Sequence, residues 1–521
     1  FSQVSLNGRY GGEMIIIGAG KSNQSLAAGL LGIGLALGAA AGGATALAAQ
    51  ARSAPATQTP NSPATQAPSP SAIQSRNSSA VPSADLRAQA RDIFAHIVGI
   101  ESSIGKANVP RVAQYLAERF KSGGFPAADI HVLPLGETAS LVVRYRGSGG
   151  GGRPIALIAH MDVVTAKRGD WQRDPYRLTE ENGFFFGRGT SDVKQEVALL
   201  TATFLRLKAE GFVPTRDLII AFSGDEETAQ ATARDLVTTH RDLVDAEFAL
   251  NGDGGGGVLR EGAATPLIFY VQGAEKSSAQ YILTTHNAGG HSSEPRTDNA
   301  IYELADALKA VQRYEFPVKW NEWTIGDFKA ASLVNEGALG KAMARFAADP
   351  GNAAAAAEIS KNPAFVGRIR TTCVATMLSG GHAENALPQS ASATINCRIF
   401  PGTSAAEVQQ TLQGLAGPKV EVRLGYDALV SSASPMRTDV MHAVEKAVAA
   451  SDPGAPVVPT QAAYATDGAV YRNAGIPTYG VGGVFIMDSE EFAHGLNERI
   501  RVNEFYNGLI YWGVLIKALA S

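Results

Sequence analysis

The chain has 521 residues, 45% hydrophobic and 18% charged, which suits two or three compact units and excludes wholesale disorder. Lysine and arginine number 45 against 49 acidic residues, a net charge of −4 with no polybasic run, so nucleic acid is not an expected partner. Two cysteines, Cys373 and Cys397, make neither a disulfide framework nor a four-thiolate zinc site, so a metal would need histidine and carboxylate ligands.

Residues 1–51 read as a leader. The stretch before Met14, the first methionine, has no apolar period and is expected to be upstream sequence. Lys21 precedes an apolar run from Leu26 to Ala49, and Ala49-Gln50-Ala51 has the small-x-small form of a signal-peptidase site. Export to the periplasm or the medium is therefore expected. The alternative is an uncleaved membrane anchor, against which stands a composition of mostly Ala and Gly, residues that insert weakly. Residues 52–83 are Pro, Ser, Thr, Gln and Ala with almost no large apolar side chain, and are expected to be a disordered linker.

Folded structure is expected from near Ala84, where Leu86, Ile93, Ile97 and Ile100 recur at helical spacing. Strand and helix signals then alternate. The pattern predicts strands over 154–160, 218–223 and 246–250. It predicts helices over 192–210, with Val193, Val197, Leu200, Phe204 and Leu207 on one face, over 228–239, and over 505–519. Such alternation implies an α/β fold, and polar clusters just past the strand ends lie where open sheets bind ligands.

Four of these clusters carry candidate chemistry. In His160-Met161-Asp162, strand alternation sets the imidazole and the carboxylate on one side, so Asp162 can accept the second ring N–H and orient a ligating histidine. Gly187 to Asp192 is a glycine-rich loop opening a helix, and the plain reading of Ser191 or Asp192 is a helix cap. Asp225-Glu226-Glu227 either complements a helix dipole or divides labour between a ligand and a proton carrier. Asn251-Gly252-Asp253 reads as a turn or as a further ligand. A last histidine, His494, lies in Glu491 to Glu498. Two histidines with Asp192, Glu227 and Asp253 would balance two divalent cations and one hydroxide, and such a set suits zinc, with Co2+, Mn2+ or Ni2+ as substitutes.

In this order the motifs resemble the co-catalytic zinc exopeptidase family of glutamate carboxypeptidase, succinyl-diaminopimelate desuccinylase, aminoacylase and carboxypeptidase S. The resemblance runs from about Leu86 to Leu519 and is nearest to the carboxypeptidase S branch. It implies a catalytic domain with a mixed sheet and helices on both faces, over 84–273 and 401–521. A smaller α+β lid or dimerisation domain over 274–400 would interrupt it. Carried over, Asp192 bridges two Zn2+ ions, His160 and Asp253 complete one site, and Glu227 and His494 complete the other. Asp162 orients His160 and Glu226 is the general base. In the lid, Gly289-Gly290-His291-Ser292-Ser293 resembles the motif whose histidine reaches the partner's substrate in a homodimer. Asn385 and Arg398 resemble the substrate contacts.

The implied activity is an exopeptidase or amidohydrolase that cleaves a peptide or N-acyl amide beside a free carboxylate, through a two-zinc-activated water. The alternatives are an aminopeptidase on a related fold or a catalytically silent binding protein. Cys373 and Cys397 fall on strands that can pair, and whether they join or stay free is open at this level.

Overall fold

A computed structural model describes residues 81–425, 429–430 and 432–521. The leader, and all but the last three residues of the linker, lie outside the described residues. Ser83 opens the fold: its hydroxyl caps the helix Ala84–Val98 by accepting the Leu86 N–H at 3.2 Å. No helix among the described residues is long and apolar enough to cross a membrane.

Among the described residues the larger sheet has ten strands. Its middle is Leu218–Ser223, Ile155–His160, Phe248–Asn251 and Thr478–Gly480, all mutually parallel. The antiparallel Ile130–Leu135 and Thr138–Tyr145 lie to one side. Every residue of Ile155–His160 is buried because alternate side chains enter two cores. Ile155, Leu157 and Ala159 meet the helices Ala84–Val98, Lys194–Ala209 and Val502–Ala520, while Ala156 and Ile158 meet Ala231–Thr238 and Gly468–Asn473. The fold is thus α/β with a mixed sheet and helices on both faces. The register sets His160 beside Ser223 and Ile158 beside Asn251, so the loops after these strands emerge along one edge.

The predicted elements are present with small shifts at their ends, but the central helix differs in kind. Lys194–Ala209 is buried almost all round and is not one-faced, since it is flanked by two helices as well as the sheet. It also lacks the expected side-chain cap from Ser191 or Asp192. Val193 stands at the N-cap position, and the Asp192–Val193 peptide is cis.

The smaller sheet follows the order Thr372–Gly380, Ser390–Ile399, Ser277–His286, Val420–Leu424. The helices Ala300–Arg313 and Ala405–Ala416 pack on it. Val420–Leu424 pairs with Ser277–His286, so the chain stays in this sheet past residue 400 and returns only after Leu424. The segment Glu315–Arg370, expected within the lid, instead forms a helical cluster against the larger sheet. Trp323 is fully buried there, donates to the Ser434 carbonyl at 2.8 Å, and stacks so closely over Gly273 that no Cβ fits beneath its ring. Cys373 and Cys397 lie directly opposite each other in neighbouring strands and are joined by a disulfide.

Candidate functional site

His160 closes its strand, fully buried. Its Nδ1 lies 3.1 Å from the main-chain carbonyl of Asp162, with the Asp162 carboxylate at 3.5 Å. A carbonyl only accepts, so Nδ1 carries a proton, and Nε2 is the nitrogen turned toward Asp192. The nearer acceptor is thus the main-chain carbonyl of Asp162, where the carboxylate was the expected one. The Asp162 carboxylate is engaged elsewhere, where its two oxygens accept the N–H groups of Glu226 and Glu227, each at 3.1 Å. One side chain thus ties the His160 strand to the acidic loop after Leu218–Ser223.

The acidic triplet divides as chemistry demands. Asp225 accepts the Ala231 and Thr232 N–H groups at 2.8 and 2.9 Å and so serves the helix start. Glu226 and Glu227 line the cavity. Asn251 makes the anticipated turn, its side chain accepting the Asp253 N–H at 2.9 Å, and Asp253 also faces the cavity.

Asp192 joins the two histidines. One carboxylate oxygen lies 3.1 Å from His160 Nε2 and the other 2.9 Å from His494 Nε2. His494 Nε2 is also 3.0 Å from Glu227, and His160 Nε2 is 3.9 Å from Asp253. Donor atoms of His160, Asp192 and Glu227 lie within 4.8 Å of one another, as do those of His160, Glu226 and Asp253. All five expected ligands and the expected base thus meet in one cluster, with Glu226 as near His160 and Asp253 as a ligand would be.

Electrostatics sharpen the picture. Burial, then repulsion from Asp253, pushes the Glu226 carboxyl well up; burial, with Asp192 and other carboxylates adding to it, raises Asp253. Burial would also raise Asp192, but hydrogen bonds from His160 and His494 outweigh it and hold that carboxyl well below the usual range. Hydrogen bonds to Asp192 and Glu227 lift His494 to about 10. Crowded carboxylates around the Nε2 atoms of two imidazoles, with no thiolate, are a donor set that fits two divalent cations of the zinc type.

The cavity holds about 1100 Å³. Acidic groups crowd one region, Leu429, Val484 and Ile486 add apolar wall, and Ser278 and Arg398 contribute from the smaller sheet. The half-buried Arg398 has no carboxylate partner among the described residues, and burial together with this neighbouring cation pushes the Lys276 ammonium down to about 7. Two lid residues are elsewhere. His291 and Asn385 are exposed on a short ribbon, where the Asn385 carbonyl accepts the Ser292 N–H at 3.0 Å, and neither lines this cavity.

Sequence reading assigned no role to Arg188, Glu498 or Tyr464. Tyr464 lines the cavity and donates to Gln272 at 3.0 Å. Glu498 is fully buried against Arg188 at 2.7 Å. The one signal for that pair was an arginine set between two glycines beside a ligand loop, in a region that buries almost everything else.

Known proteins resemble this chain in sequence and fold. The pattern of Peptidase family M20/M25/M40 matches residues 156–518. The chain is 26% identical over 388 residues to the N-fatty-acyl-amino acid synthase/hydrolase PM20D1 of Homo sapiens, covering 71% of this chain and 74% of that protein. It is 25% identical over 399 residues to the probable carboxypeptidase S-like 2 of Dictyostelium discoideum, 73% of this chain and 74% of the relative. In fold it is similar to the M20 family metallo-carboxypeptidase Sso-CP2 from Sulfolobus solfataricus, with a TM-score of 0.64 and 16% identity over 83% of this chain and 99% of that one.

Proposed function

The chain belongs to peptidase family M20/M25/M40, hydrolases of metallopeptidase type, and from this premise we propose that it cleaves an amide bond beside a free carboxylate, in an N-acyl amino acid or a small peptide. The observation that carries the two-metal form of this reading is Asp192, one oxygen directed at each histidine, as a carboxylate shared by two cations requires. His160 and Asp253 would hold one ion, Glu227 and His494 the other. Zn2+ fits best, with Co2+, Mn2+ or Ni2+ as substitutes. When bound, these ions supply Lewis acidity toward the scissile carbonyl and acidify a water molecule.

The chain's own groups do the rest. Glu226, its backbone fixed by Asp162 and its carboxylate touched by Gln230 at 3.3 Å, takes the proton and returns it to the leaving nitrogen. Arg398, an unpaired guanidinium in the cavity wall, pairs with the substrate carboxylate. That same cation argues against an aminopeptidase, whose substrate would bring a free ammonium to this wall. Val484 and Ile486 give an acyl chain or apolar side chain a place to pack.

His291 accepts the Ser293 N–H at Nδ1, 3.2 Å away, so its proton sits on Nε2, free to be donated to an oxyanion. Its exposure on the ribbon, outside the lining of the chain's own cavity, supports a role in the site of a second copy, with Asn385 beside it. The edge strand Thr372–Gly380 offers the pairing surface: Val374, Met377 and Leu378 are 59%, 67% and 72% exposed. A homodimer through this edge is part of the proposal. Export is the other part, supported by the disulfide, which persists in oxidising compartments.

Glu226→Gln tests the division of labour. The variant should keep both ions and lose about 10²–10⁴-fold in turnover, since it deletes a proton carrier and no ligand. Metal analysis showing a lost ion would make Glu226 a ligand instead. An amide cap on the substrate carboxylate should abolish cleavage.

A further inference from the structure

Glu498 and Arg188 have no place in the chemistry above, yet they tie the loop that ends at Asp192 to the loop that carries His494. The Glu498 carboxylate is fully buried and accepts the N–H groups of Gly189, Ser191 and Asp192 at 3.0, 2.7 and 3.1 Å, and the Ser191 hydroxyl at 3.2 Å. Arg188 Nη1 meets the same carboxylate at 2.7 Å. Its other arm, Nη2, donates to the carbonyls of His494 at 3.3 Å and Gly495 at 3.1 Å. Trp171 lies against the guanidinium at 5.0 Å. His494 has φ of 63°, a left-handed conformation that a residue with a Cβ keeps only when its surroundings impose it.

We infer that Arg188 and Glu498 are positioning residues, a clasp that sets the separation of Asp192 from His494 and so tunes metal affinity. The inference rests on the two-metal reading of the same site. Stability alone is a poor reason for the pair, because a buried ion pair can usually be exchanged for apolar side chains at little cost. Its contacts are also specific: five donors converge on Glu498 from a five-residue loop ending at the shared carboxylate, and the free arm of Arg188 goes to the second histidine's own backbone. Partners behind metal ligands act in this way, by holding them at the spacing the ion requires.

The two residues should fail differently. Glu498 holds the backbone of Asp192, which both ions share, so Glu498→Gln should weaken both sites. Arg188→Lys keeps a cation toward Glu498 but loses the fork that reaches His494, so it should weaken one site only.

The experiment is a zinc titration of the full chain against a competing chelator, repeated with Co2+ while its visible absorption is followed, with circular dichroism of each metal-free variant. The wild type should bind two ions. Arg188→Lys should bind one as before and the other about 10–100-fold more weakly, and Glu498→Gln should lose a similar factor at both. Cobalt absorption should change for the second equivalent only in Arg188→Lys. Turnover of that variant should recover at raised zinc with KM unchanged.

Wild-type affinity at both sites in both variants overturns the clasp. So does a Glu498→Gln protein that fails to fold while Arg188→Lys binds normally, since the pair would then serve folding alone. A wild type that binds fewer than two ions overturns the two-metal reading, and the clasp with it.

Discussion

Glu196 is a carboxylic acid in the first turn of a buried helix with no cation beside it. Its oxygens accept the Gly483 N–H at 2.8 Å and the Trp512 indole N–H at 2.6 Å. Burial still wins, pushing the carboxyl from its ordinary 4.5 up to about 7. Below about 4.5 the group is protonated whether the chain is folded or not, so it carries no penalty there. Between about 4.5 and 7 the unfolded chain has lost the proton and the folded one keeps it, so stability falls as pH rises; above that range the penalty is complete. Glu196→Gln should therefore flatten the pH dependence of unfolding across this window, by something on the order of 1–3 kcal/mol between about pH 5 and 8. Denaturant midpoints of the metal-loaded proteins at both pH values check this, and parallel profiles would reject it. Asp192, four residues earlier, goes the other way because two imidazoles hydrogen-bond to it. Chemistry near this helix is set by who faces each carboxylate, which residue type alone does not reveal.

At the scale of elements, the edge strand Thr372–Gly380 is the informative case. It is exposed over most of its length and is fastened to Ser390–Ile399 by ladder hydrogen bonds and by Cys373–Cys397. A long, apolar, unpaired edge invites association, and a second copy of the chain is its proposed occupant. Leu378→Glu should then give a single-chain species in sedimentation, with monomer stability within about 0.5 kcal/mol because the side chain is exposed. Activity should fall sharply. An unchanged dimer would remove this edge from the proposed interface. The family resemblance puts the return from this sheet at 401, but Val420–Leu424 adds a fourth strand through pairing that has no local signal.

At the scale of the whole molecule, two groups that the proposal assigns to one reaction stand apart. Glu226 lines the cavity, while His291 stands exposed on the lid ribbon. If a second copy supplies the histidine, Glu226→Gln and His291→Ala should each be nearly inactive with metal content unchanged. In a mixed dimer one site would have both intact groups. Equal mixing with subunit exchange should restore about a quarter of wild-type turnover, since half the dimers are mixed and each has one working site. Demonstrated exchange without recovery would return His291 to its own chain's surface.

Much of this protein was legible before any coordinates. Alternating apolar runs placed the strands ending at His160 and Ser223 and the helices behind them, because a hydrophobic period is a local property. The order of His160, Asp192, Glu226, Glu227, Asp253 and His494 was legible too, because each follows a strand or opens a helix at one sheet edge. What required the fold was every relation across distance. Asp162 spends its carboxylate on the amides of Glu226 and Glu227, Trp323 docks the helical segment on the larger sheet, and Glu498 closes on a loop 306 residues earlier. Hydrophobic periodicity is written along the chain. The partner of a buried charge is chosen only when packing removes water and leaves a single neighbour within reach.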